Sequence, residues 1–177
     1  PPHRGGDRAA GARALAALAR ELSAPVQVAL HTDHCPPEQV DEFLRPLLAA
    51  SRERVERGDP PLFNSHMYDG SQLPLAENLR VAAELLRETS ELGILLELEI
   101  GTVGGEEDGI DHAGVPSDRL YTSPADALAV AEALGTGERG RYLLAATFGN
   151  VHGHYAPGNV TLRPQLLCEL QRTLETR

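Results

Sequence analysis

His31, Asp33 and His34 fall within four residues of one another in the stretch Val28-Ala-Leu-His-Thr-Asp-His-Cys35. Neutral imidazole is a common zinc ligand, and a carboxylate beside it can act as a general acid or base. Taken alone, the tetrad serves equally well as a polar strand end with a solvated Asp. Leu95-Leu-Glu-Leu-Glu-Ile100 adds two carboxylates. Side chains alternate along a strand, so Glu97 and Glu99 share one face while Leu96, Leu98 and Ile100 share the other. Carboxylates on an interior strand are costly unless they are paired, hydrogen-bonded or bound to metal. Phe148-Gly-Asn-Val-His-Gly-His-Tyr155 places His152 between Gly149 and Gly153, where backbone N–H groups could approach a ligand closely. His154 has no assignment. Ser65-His-Met-Tyr-Asp-Gly-Ser71 offers Asp69, a weak signal by itself. Gly101-Thr-Val-Gly-Gly-Glu-Glu-Asp-Gly109 sets acids between glycines, as in a loop that carries a base into place, although alone it reads better as a solvated loop.

The elements that must position these groups alternate. Residues 1–7, rich in Pro and Gly, read as a flexible leader, and 8–177 as a single domain. Arg8–Ser23 is expected to be an amphipathic helix with Leu15, Leu18 and Leu22 on its apolar stripe. Val26–His31 is a strand. Pro36-Pro37 opens a helix carrying Val40, Phe43, Leu44, Leu47 and Leu48 to about Arg57. Leu62–His66 is a second strand, followed by a helix from Glu77 to Leu92 with a stop at Gly93. Ile94–Ile100 is a third strand, 101–120 a long loop, and Ser123-Pro124 the start of a helix reaching Leu134. Tyr142–Phe148 is a fourth strand, then comes a Gly-rich loop and a last helix from Leu162 to about Leu174. Repeated strand–loop–helix units predict an α/β fold with a parallel sheet and covering helices. The chemically unusual residues follow the strands, where such folds place their sites.

Composition narrows the function. The chain has 177 residues and a net charge of −10, which argues against nucleic acid or an anionic membrane surface as partner. No apolar run approaches the ~20 residues needed to span a bilayer. Cys35 and Cys168 are far apart and suggest no disulfide framework, so a reducing cytoplasm is the expected setting. Lysine is absent, which excludes Schiff-base chemistry by this chain. Four successive strands end in candidate ligands: His34, Asp69, Glu99 and His152. Two histidines with carboxylates suit zinc or another borderline divalent ion. A third zinc ligand could come from Glu99, from Asp69 or from outside the chain.

Together the motifs resemble those of the class II, zinc-dependent fructose-bisphosphate aldolases. They are HTDHC at 31–35, SHMYDGS at 65–71, LEIG with GGEEDG over 98–109, YTSP at 121–124, ATFGNVHG at 146–153 and PGN at 157–159. The resemblance implies a (β/α)8 TIM-barrel fold, here as an incomplete barrel of about four parallel strands. It implies His34 and His152 as ligands of a catalytic zinc, and Asp69 and Glu99 at a second, buried zinc position. Asp33 would be the acid/base for the aldehyde-derived half, and Glu107 the loop carboxylate that deprotonates dihydroxyacetone phosphate. Gly153 would touch that substrate and help hold a monovalent cation. The implied reaction is reversible aldol cleavage of fructose 1,6-bisphosphate to dihydroxyacetone phosphate and glyceraldehyde 3-phosphate, with zinc as Lewis acid. Tagatose 1,6-bisphosphate is the alternative sugar, and a metal-binding half barrel without turnover the alternative role. Homo-oligomers are implied for the full-length enzyme. Where the family has Val and Lys near 154 and 156, this chain has His154 and Ala156. Only the third to sixth barrel strands have counterparts, so the expectation is a piece of a longer aldolase.

Overall fold

The computed structural model describes residues 7–22, 26–101, 104–107, 110–111, 120–153 and 161–176, with 104–107, 110–111 and 152–153 described at the backbone level. The positions His154, Ala156 and 157–159 lie outside the described residues, as does the expected leader apart from Asp7.

Helix α1 (Arg8–Leu22) comes first. Its Ala and Leu content favours helix, but the face it buries is not the expected one. Ala9 and Ala16 are buried against Leu47, Leu62 and Phe63. Leu15, Leu18 and Leu22 are 70%, 50% and 71% exposed. The small alanines let the helix lie close, and the leucine stripe is left facing outward.

Strand β1 is short, His31–Thr32. Residues 27–30 run up to it outside any ladder, although the Leu30 N–H donates to Asn64 Oδ1 at 2.8 Å. Next comes a 3-10 turn at Pro37–Gln39, a π turn at Val40–Leu44, and α2 (Arg45–Glu56). The expected continuous helix is thus broken into three pitches. Pro46 explains the break: it has no N–H for the Glu42 carbonyl, and its ring crowds that turn. The chain widens there, and the Arg45 N–H bonds the Val40 carbonyl instead.

Strand β2 (Ser65–Asp69) begins three residues later than expected and takes in Asp69 as its last residue. Helix α3 (Leu75–Ser90) buries Leu79, Ala82, Leu85 and Leu86, and Gly93, with φ 69°, turns the chain out of it. Strand β3 (Leu95–Ile100) follows. Two short strands, β4 (Gly104–Glu107) and β5 (Ile110–Asp111), occupy part of what was expected to be loop. Helix α4 (Pro124–Leu134) starts on a capping box: Ser123 Oγ accepts from the Asp126 N–H, and Asp126 Oδ2 from the Ser123 N–H. Strand β6 (Tyr142–Ala146), strand β7 (Val151–Gly153) and helix α5 (Gln165–Glu175) complete the described chain.

The main sheet has the order β1-β2-β3-β6, with each pair parallel. One face packs on the helices. Tyr68, Leu96, Leu98 and Ile100 meet Leu79, Leu85 and Leu86 of α3 and Val130 and Leu134 of α4 in the largest core. Strand alternation puts Ser65, Met67 and Asp69 of β2 and Glu97 and Glu99 of β3 on the other face. A second sheet, β5-β4-β7, pairs β4 in parallel with β7 and antiparallel with β5. Among the described residues, no helix is long and apolar enough to cross a membrane.

Candidate metal centre at the strand ends

Three parallel strands in register bring three chemically distinct groups together. Asp69 and Glu99 are register partners across β2 and β3. His31 pairs with Ser65, which sets the end of β1 so that His34, two residues past the strand, folds back over them. The ligand atoms of His34, Asp69 and Glu99 all lie within 4.8 Å of one another. His34 Nδ1 is 3.1 Å from Asp69 Oδ2 and 3.9 Å from Glu99 Oε2. The Ser71 N–H donates to the other Asp69 oxygen at 3.0 Å.

The electrostatics follow from those contacts. Burial pushes the Asp69 carboxyl up, but hydrogen bonds from Ser71 and His34 outweigh it and hold the group below its usual value. Asp69 is therefore ionised at neutral pH. Glu99 is only 5% exposed and Asp69 is half-buried, so two carboxylates lie together with restricted access to water. A cation placed between them would be stabilised by both. One imidazole and two carboxylates form a donor set that a borderline divalent ion accepts, so the residues present fit a metal.

The remaining expected residues are placed differently. Asp33 stands at the rim with an 84% exposed side chain, its Oδ1 3.9 Å from His34 Nε2. Glu97 lies apart from the cluster and faces His31, with His31 Nε2 3.6 Å from its Oε2. His31 Nδ1 in turn meets Ser65 Oγ at 2.8 Å, so His31 belongs to a supporting network. His152 and Gly153 lie on β7 and Glu107 ends β4. Their ladder pairs Gly105 with His152 and Glu106 with Gly153, so the Glu107 segment and the His152 segment are neighbours. The sequence carries no strand signal there, because Gly-Gly has little β propensity. Gly149 is needed by the backbone itself. With φ 85°, it packs where a Cβ would run into the Thr161 carbonyl, so its bareness serves the chain's own fold.

Two polar groups near the cluster escaped the sequence reading. Ser71 is one. The other is Asn78, which donates from Nδ2 to the Glu99 carbonyl at 2.8 Å. The available signal was an amide inside the apolar stripe of α3, one residue before Leu79.

A parallel α/β sheet with His34, Asp69 and Glu99, which could hold a metal ion, at its C-terminal strand ends defines the class: a barrel-type α/β scaffold with its candidate site where such folds carry theirs. The chain belongs to the class II fructose-bisphosphate aldolase family, whose model matches residues 3–176. It is 60% identical over 165 residues to the fructose-bisphosphate aldolase of Corynebacterium glutamicum, covering 92% of this chain and 47% of that protein. It is 56% identical over 168 residues to that of Mycobacterium tuberculosis, covering 94% and 48%. The crystal structure of the Campylobacter jejuni fructose-bisphosphate aldolase superposes with a TM-score of 0.77 at 34% identity, covering 95% of this chain and 47% of that one. The chain thus spans about half the length of the curated relatives it matches, and its four parallel strands form part of the family's TIM-barrel fold.

Proposed function

We propose that this chain carries the metal-binding portion of a zinc-dependent fructose 1,6-bisphosphate aldolase active site. The convergence of His34, Asp69 and Glu99 from three adjacent strand ends is the observation that carries this proposal. A zinc ion held there supplies Lewis-acid polarisation of a substrate carbonyl. His34 and His152 hold the catalytic ion, and Asp69 and Glu99 offer a second, buried position. Asp33, exposed at the rim, exchanges a proton with the hydroxyl of the aldehyde-derived half. Glu107 takes the proton from dihydroxyacetone phosphate. Gly153 approaches that substrate through its backbone and helps hold a monovalent cation. The pairing of β4 with β7 supports placing Glu107 and His152 in one site.

Turnover belongs to the whole enzyme, with the sugar bisphosphate as substrate and a homo-oligomer as the working assembly. The first test is metal binding by the 177-residue chain. Titration with zinc against a chromophoric chelator is expected to give a stoichiometric site that His34→Ala abolishes. A chain that binds no zinc, or binds it unchanged after that substitution, overturns the assignment. Cleavage of fructose 1,6-bisphosphate is then assayed with the chain at each zinc level. Metal binding without any triose phosphate assigns this chain the metal-holding role alone.

A further inference from the structure

Asn78 lies on α3, away from the ligand-bearing face of the sheet, yet it touches the backbone behind two of the three cluster ligands. Its Nδ2 donates to the Glu99 carbonyl at 2.8 Å. Its Oδ1 lies against Gly70, the residue after Asp69. A Cβ at Gly70 would overlap that oxygen and sit 2.8 Å from the Tyr68 hydroxyl. Asn78 is 1% exposed, and its Oδ1 has no hydrogen-bond partner among the described residues. An unpaired buried acceptor costs roughly 1–3 kcal/mol, which a leucine of similar shape would avoid. In return the amide provides one fixed donor to the strand residue that presents the buried carboxylate.

We infer that Asn78 is a positioning residue for the metal centre, fixing the Glu99 backbone through its amide and wedging the Asp69 turn at Gly70. The inference rests on the metal site proposed above. Glu99 and Asp69 sit on separate strands, and the 4.8 Å cluster requires their carboxylates to be held at one relative height. The sheet ladder alone sets that height at the backbone. Asn78 adds a tie from the helix layer to both strands at once, at the last turn before each chain leaves the sheet. Gly70 is part of the same device, since only a residue without a Cβ leaves room for the amide oxygen.

The test separates metal affinity from stability. Zinc and cobalt(II) titrations are run on the unsubstituted chain, Asn78→Leu, Asn78→Ala and Gly70→Ala, alongside thermal unfolding of the metal-free forms. Asn78→Leu is expected to lower metal affinity ~10–100-fold, the usual loss for a residue that orients a ligand from behind. Its metal-free thermal midpoint is expected to stay close to that of the unsubstituted chain, because the unpaired acceptor is gone while the Glu99 carbonyl loses its donor. The visible absorption of the bound cobalt is expected to change shape. Gly70→Ala is expected to lower affinity in the native background and to cost far less in the Asn78→Ala background, where the amide no longer blocks the methyl. A residue that only filled space would change the midpoint and leave affinity and cobalt spectrum alone. If the unsubstituted chain binds metal, and Asn78→Leu and Asn78→Ala bind it equally well, the inference fails while the metal site stands. If the unsubstituted chain binds neither ion, both fail.

Discussion

Asp69 concentrates the chemistry of the cluster in one side chain. One carboxylate oxygen takes the Ser71 N–H and the other lies 3.1 Å from His34 Nδ1, so both oxygens are oriented before any ion arrives. Those bonds keep the group ionised despite its burial. Asp69→Asn preserves the volume and removes the charge. With Asp69 as a proposed ligand, zinc affinity is then expected to fall by more than the ~10–100-fold typical of an outer partner, because a charged donor is replaced by a neutral amide. Asp33 is the contrast. Exposed at the rim, it is proposed for proton transfer rather than coordination, so Asp33→Ala is expected to leave zinc affinity within a few-fold. Competition titration measures both. Equal losses at the two positions would break the division of roles between them.

At the scale of elements, β1 and β2 are joined by a side-chain bond as well as by their ladder. β1 has only two residues, and Thr32 Oγ1 meets His66 Nδ1 at 2.8 Å in the buried layer between sheet and helices. Burial, with His31 nearby, pushes the His66 pKa down to about 4. The unfolded chain takes up a proton near 6.5, whereas the folded chain resists until about 4. Below pH 6.5 the unfolded state therefore binds more protons, and stability falls as pH falls through that window. The full loss is roughly 3 kcal/mol by the linkage relation. Denaturant midpoints between pH 7.5 and 4.5 measure it, and His66→Gln, which keeps a bond to Thr32, is expected to flatten the slope. An unchanged slope would mean His66 charges freely in the folded state. The same scale shows what the sequence could reveal. Ser123-Pro-Ala-Asp126 announces the start of α4 by local chemistry alone, and Gly93 announces the end of α3 in the same way. The carboxylate face of β3 follows from alternation. His34, Asp69 and Glu99 were legible as candidates because each lies at or just past the end of a strand. The β4–β7 ladder was not legible, because glycines in both segments weaken the strand signal and the pairing joins positions far apart in sequence. The three-residue shift of β2 was decided by register with β3. The outward turn of Leu15, Leu18 and Leu22 was decided by which face of α1 could pack closest.

For the molecule as a whole, the sheet β1-β2-β3-β6 ends in two strands that are each paired on one side only among the described residues. Unpaired edges of this kind invite pairing with another chain. Exposed apolar side chains flank those strands along the chain: Leu15, Leu18, Leu22, Val26 and Val28 precede β1, Leu143 lies on β6, and Leu162 and Leu167 follow it. Fully burying one such leucine stabilises by roughly 1.5–3 kcal/mol, so contact along either edge recovers several kcal/mol. The chain covers about half the length of its relatives, and these edges lie where the strands of a barrel would continue. The 177-residue chain is therefore expected to self-associate as its concentration rises. Sedimentation velocity across a hundredfold concentration range should show the mean mass increasing. Leu15→Glu with Leu22→Glu is expected to shift that association to higher concentration. The monomer's stability should change by no more than about 0.5 kcal/mol, because both side chains already face water. Association unaffected by the pair of charges would assign it to the β6 side, where Leu143→Glu and Leu167→Glu would then disrupt it. A chain that stays monomeric throughout would show that neither edge is adhesive, and that the outward leucines of α1 are tolerated in water at little cost.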